Sequence, residues 1–187
     1  MARITTPFAV VVLTCLALAL PAAPAAAAGC ANAEAKPSAS NVAAMKTATL
    51  CLLNRERTSR GLPRLASSGE LDKAAQRFSA HMVSERFFDH VSPSGSTLNS
   101  RVRSGTGYLR GTVRRWSLGE NLAWGSGERG TPRQIVRSWM NSPGHRRNIL
   151  DRGFHDIGIG IAAGAPGDVR GRPAATYTTD FGARILA

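Results

Sequence analysis

Four histidines, His81, His90, His145 and His155, are the side chains of this sequence that change charge near neutral pH. Two of them sit where an imidazole invites a role. His90 lies in Phe88-Asp89-His90-Val91-Ser92-Pro93, at the opening of a long loop, and His145 lies in Ser142-Pro143-Gly144-His145, in the first turn of a helix. Glu120, in Gly119-Glu120-Asn121, is a carboxylate set between Leu118 and Leu122 in a strand-like stretch, and needs a reason to be there. Residues of these types serve as ligands or bases, but each also has a plain structural use. His90 can bond a neighbouring backbone group, Glu120 can satisfy backbone amides, and His145 can cap its helix. There is no HExxH, Cys-x-x-Cys, Gly-x-Ser-x-Gly or phosphate-cradling glycine loop, so no compact catalytic motif decides between these uses. His81, beside Met82, reads as structural, and His155, ahead of an isoleucine strand, as a turn or edge residue.

The elements that must position these residues follow from periodicity. From Asn41, apolar residues recur at Val42, Met45, Ala48 and Leu52, an amphipathic helix ending at Gly61 with Pro63 beyond. Ser67 with Glu70 predicts a capping box for a second helix carrying Leu71, Ala74, Ala75, Phe78 and Met82 on one face and ending near Arg86. Residues 89 to 115 read as a long loop with a short helical turn near Leu98–Val102, and a loop of that size inside a domain is usually functional. Trp116–Trp124 reads as a strand and Thr131–Met140 as a helix. Ser142-Pro143 opens another helix, with Ser as N-cap and Pro at the first helical position, which commits the Ser142 hydroxyl to the cap. Ile157, Ile159 and Ile161 alternate with Gly158 and Gly160, a strand whose second face must be closely packed. Ala175, Tyr177, Thr179 and Phe181 alternate again. Helices first and antiparallel strands last predict an α+β layered domain. Trp116 and Trp139 read as core, and Trp124, near a strand end, as the tryptophan able to edge a cleft.

The N-terminus reads as an export signal. Arg3 precedes the apolar, uncharged stretch Phe8–Leu20, Pro21 and Pro24 break it, and Ala25–Ala28 supply small residues for cleavage. The stretch is shorter than the ~20 apolar residues a membrane-spanning helix needs. The expected organisation is therefore a signal peptide over 1–28, a short tether over 29–40 and one domain over 41–187, soluble, monomeric and without a transmembrane segment once processed. Of three cysteines, Cys15 lies in the signal. Cys30 and Cys51 then pair by default in an oxidising compartment. The rival is lipidation of Cys30, because Ala27-Ala28-Gly29-Cys30 faintly resembles a lipoprotein cleavage box. Net charge is +12, from 24 Lys and Arg against 12 Asp and Glu. Such a field favours acidic partners, yet the arginines are scattered singly and in pairs, with no tract for specific nucleic-acid binding.

Five segments together resemble the CAP superfamily (cysteine-rich secretory, antigen 5 and pathogenesis-related proteins) in its bacterial secreted branch. They are Leu53-Asn54-Arg55-Glu56-Arg57 with Gly61-Leu62 and Leu65; His90-Val91-Ser92-Pro93; Gly119-Glu120-Asn121; Trp139 to His145; and Tyr177 to Gly182. The resemblance implies a three-layer α-β-α sandwich with a central antiparallel sheet, and a cleft lined by two His and two Glu that can hold a divalent cation. His90, Glu120 and His145 match three members of that tetrad, while Ser142 stands where animal and plant relatives carry the second Glu. Such a trio suits zinc in an open site with water at the fourth position, and suits calcium less. Its affinity should fall as pH drops through the histidine range.

Two functions follow as expectations. The first is a secreted, extracellular or wall-associated binding module, engaging a cell-wall polymer, lipid or host component. The second is a metal-dependent extracellular hydrolase with Glu120 as ligand or base. The first is preferred, since no further base or oxyanion group can be named once three residues hold the metal.

Overall fold

Ile157, Ile159 and Ile161 point to one side of strand β3 (Asp156–Ala163) and are buried, while Gly158 and Gly160 face the other side. A Cβ at either glycine would run into helix backbone at Leu71 or Ala75. The alternation therefore builds a strand with a side-chain face and a bare face on which a helix lies directly. The structure, a computed structural model, describes Met1 and residues 29–187, so the expected signal over 1–28 lies, Met1 aside, outside the described residues.

The helices are α1 (Val42–Thr58), α2 (Gly69–Ser84), α3 (Leu98–Gly105), α4 (Pro132–Asn141) and α5 (Pro143–Leu150); the other strands are β1 (Ala66–Ser67), β2 (Val113–Ser126) and β4 (Ala174–Leu186). The sheet order is β1-β3-β4-β2. One layer holds α1, α4 and α5, whose Met45, Leu53, Val136, Trp139 and Ile149 join Ile157, Ile159, Tyr177 and Phe181 in a single core. The opposite layer holds α2 and α3, where Leu71, Ala74, Val102 and Tyr108 form a second cluster and Phe78, Met82 and Leu122 a third. This is the expected three-layer α+β sandwich.

The sheet itself departs from the expectation. It is mixed, because Ala66 and Ser67 pair in parallel with Asp156 and Ile157. That two-residue strand is too short for periodicity to reveal. It is held by Asn54, whose side chain accepts from Leu65 N (2.7 Å) and donates to Leu65 O (3.1 Å). The cap of α2 moves for the same reason. Ser67 is engaged in the ladder, and the N-cap is Ser68, whose Oγ accepts from Leu71 N. In the 89–115 stretch, the expected turn is a full helix, closed by a Thr97–Ser100 capping box.

Two features of the first motif are structural. Arg57 is fully buried and donates to the carbonyls of Pro63, Ile149, Asp151 and Phe154 at 2.8–3.2 Å. It thereby ties the end of α1 to the turn that follows α5. Cys30 and Cys51 form a disulfide, which leaves Cys30 no thiol to carry a lipid. The segment before α1 is tied down further by Arg133 N donating to Ala33 O and by an Arg133–Glu34 ion pair.

Candidate functional site

Strand β2 is an edge of the sheet, so both helical layers reach its free side. An open edge leaves backbone groups without ladder partners, and here side chains supply them. Asn148 of α5 donates to Glu120 O (3.1 Å), and the Trp139 indole of α4 donates to Leu122 O (3.0 Å). Asn148 also donates to Asn121 Oδ1 (2.9 Å), and Asn121 in turn donates to the carbonyl of His145 (3.1 Å). This chain of amides locks the first turns of α5 against β2 and sets His145 beside the strand.

The side chain of Glu120 points to the α2/α3 layer and is only 3 % exposed. His90 approaches from the loop after α2, with Nδ1 2.8 Å from Glu120 Oε1. A carboxylate can only accept, so Nδ1 carries the proton and Nε2 is left free. Arg101 of α3 takes the other oxygen, donating from Nη2 to Oε2 at 2.5 Å. Its Nη1 donates to the carbonyls of His90 (3.1 Å) and Ser96 (2.9 Å), and the guanidinium lies 3.4 Å from the centroid of the Phe78 ring. Neither Glu120 oxygen is without a donor. Behind it, Asp180 of β4 lies in register with Glu120, fully buried, with neither oxygen hydrogen-bonded.

Charges are displaced accordingly. The hydrogen bond to Glu120 raises the His90 pKa above its ordinary value, outweighing partial burial. Burial, and then the charge of His90, lower that of His145. Burial, and then the charge of Glu120, push Asp180 well above the usual carboxylate range, against the opposing pull of Arg101.

Of the residues singled out by sequence, His90 and Glu120 are hydrogen-bonded, and His145 stands close enough to feel the charge of His90. Among the described residues, no three His, Cys, Asp or Glu side chains are grouped to hold a metal ion. Ser142 is at the N-cap position of α5, but its side chain makes no cap bond. It lines a cavity instead. That cavity, of about 450 Å³, lies against the His145 side of β2. Buried Leu122, Ile135 and Trp139 form its floor, Trp124, 40 % exposed, is at its edge, and Arg129, Gln134 and His145 contribute polar groups. Trp124 thus edges the cleft as expected and Trp139 is core, whereas Trp116 is a partly exposed residue beneath Arg103. His81 packs edge-on against Phe87, and His155 links β1 and β4 through its backbone.

Arg101 and Asp180 escaped the sequence reading. Asp180 had a signal, a carboxylate inside the apolar alternation of Tyr177 to Phe181. Arg101 had none, being one arginine in an Arg/Ser-rich stretch.

The family model described as CAP, the cysteine-rich secretory protein family, matches residues 50–179. The uncharacterized protein YkwD of Bacillus subtilis strain 168 is 38 % identical over 122 residues, covering 65 % of this chain and 44 % of that protein. An extracellular protein containing an SCP domain from Bacillus anthracis aligns with a TM-score of 0.54 and 27 % identity, over 76 % of this chain and 40 % of the other. An outer surface protein of Borrelia burgdorferi aligns with a TM-score of 0.58 and 19 % identity, over 73 % of this chain and 90 % of the other; at that identity it speaks for the fold alone. This chain spans less than half the length of the two Bacillus proteins.

Proposed function

The chain belongs to the cysteine-rich secretory protein (CAP) family, and from that premise we propose that it is a secreted binding module whose ligand enters the cavity beside His145. The observation that carries this reading is the composition of that cavity. An apolar floor of Leu122, Ile135 and Trp139 is bordered by Arg129, Gln134 and His145, the pattern of a site that takes an apolar body and orients one polar or anionic end. Export is supported by the Cys30–Cys51 disulfide, which belongs to an oxidising compartment, and by the signal-like order of residues 1–28. Among the described residues, no helix is long and apolar enough to cross a membrane.

The hydrolase reading is not favoured. It needs Glu120 as a metal ligand or as a free base, and both Glu120 oxygens already accept hydrogen bonds, from His90 and from Arg101. The donor set, as arranged, does not fit a resident divalent cation.

The test is titration of the purified chain with anilinonaphthalene sulfonate, an aromatic anion, followed by fluorescence. Binding should be saturable, weaken in Arg129→Ala, and disappear in Ser138→Trp, which fills the cavity from α4. Equal binding by all three proteins would reject the cavity as the site. Retention on isolated cell wall should fall with added salt, as screening of a basic surface requires.

A further inference from the structure

We propose that Arg101 is the resident cation of the cleft: its guanidinium holds Glu120 as the orienting carboxylate of His90, and so takes Glu120 out of any metal-ligand set. The proposal deepens the binding-module reading and rests on it, since it gives the His/Glu cluster a role without a catalytic ion.

A carboxylate as enclosed as Glu120 must be paired, because an isolated buried charge is costly. The pairing is complete within the protein. One oxygen receives His90 Nδ1–H and the other the Arg101 guanidinium. The guanidinium is itself held through both terminal nitrogens, with Nε left unpartnered among the described residues. Its side chain is only 10 % exposed, it stacks on Phe78, and it donates to the carbonyls of His90 and Ser96. One arginine therefore fixes both the carboxylate and the backbone of the histidine that the carboxylate orients. Asp180, directly opposite on β4, takes no hydrogen bond from Arg101 or His90, so both donors are left to Glu120.

The consequence for metal binding is arithmetical. An open zinc site uses three protein ligands. With Glu120 committed behind His90, the ligands of the expected trio reduce to the free Nε2 of His90 and the ring of His145. Two imidazoles beside a buried guanidinium are too few, and the positive charge opposes a third. Arg101 is thus a positioning residue that sets the orientation of His90 and the metal preference of the cleft.

Zinc titration by calorimetry tests this, with thermal unfolding in the presence of zinc or EDTA as a second measure. The wild-type chain should show no stoichiometric zinc binding, and its unfolding temperature should not respond to either reagent. Arg101→Met frees Glu120 and removes the repelling charge. It should bind zinc about tenfold more tightly or better than wild type, and the gain should vanish in Arg101→Met/His90→Ala. Stoichiometric zinc binding by wild type that is lost in Glu120→Ala would overturn the proposal, as would a folded Arg101→Met protein with no gain. If Arg101→Met does not fold, the wild-type titration still decides. The dye titration is independent, so the failure of Arg101 as the cation can be told from the failure of the cavity as a binding site.

Discussion

Glu120 and Asp180 stand opposite one another on neighbouring strands β2 and β4, both buried, yet only Glu120 has hydrogen-bond partners. Directly opposed carboxyls repel when both are ionised, so the proton that one of them keeps falls to Asp180. Its pKa is raised by burial first and by Glu120 second. For a raised acid, the stability it contributes is complete below the unfolded pKa, about 3.9, and is lost as pH rises through the folded value. Asp180→Asn mimics the neutral acid. It should raise the urea midpoint at neutral pH while changing it little in acid, and equal midpoints at neutral pH would refute the assignment.

His90 and His145 should titrate apart. His90 is raised by its bond to Glu120, and His145 is lowered by burial and by His90. His90 therefore adds stability below about pH 6.5 that disappears as pH rises through its folded pKa. His145 adds stability above that point that disappears as pH falls through its own. With four histidines in the chain, NMR titration of the imidazole C–H signals resolves the order. In Glu120→Gln the His90 midpoint should move down toward that of His145; an unmoved midpoint would contradict the bond.

Helix α2 rests on bare backbone, which makes Gly160 intolerant of a side chain. A methyl there meets the Ala75 backbone, which cannot swing aside as a side chain would. Gly160→Ala should cost about 1–3 kcal/mol or more by denaturant unfolding. Gly144→Ala, in α5 with open space around it, should be neutral or stabilising by up to about 1 kcal/mol.

The Cys30–Cys51 bridge closes a loop with a sequence separation of 21 and anchors the segment before α1. Reduction, or replacement of both cysteines by serine, should cost about 3 kcal/mol. Unfolding with and without reductant measures the loss. Intact mass should match the disulfide with no acyl chain attached.

Periodicity made the layers legible. The alternation of Ile157, Ile159 and Ile161 with two glycines announced the strand and a close packing on its bare face, because a missing side chain is visible in the sequence; that α2 supplies the packing came from the fold. Where two neighbouring serines competed, local rules chose Ser67, and strand pairing with a segment some ninety residues away chose Ser68. Ser142 likewise read as a cap from its neighbours, and lines the cavity in the fold.

Residue types able to do chemistry, the helices and strands that carry them, the five motifs of the family and the cysteine pair were all readable along the chain. Those properties are local, or follow from which residue types recur and in what order. What Glu120 is for became visible only in three dimensions. Its two partners come from His90, on a loop, and Arg101, on α3, and its silent neighbour Asp180 comes from another strand. Which charge neutralises a buried carboxylate depends on distances across the sheet edge, and nothing in the spacing of Arg101 along the chain encodes that distance.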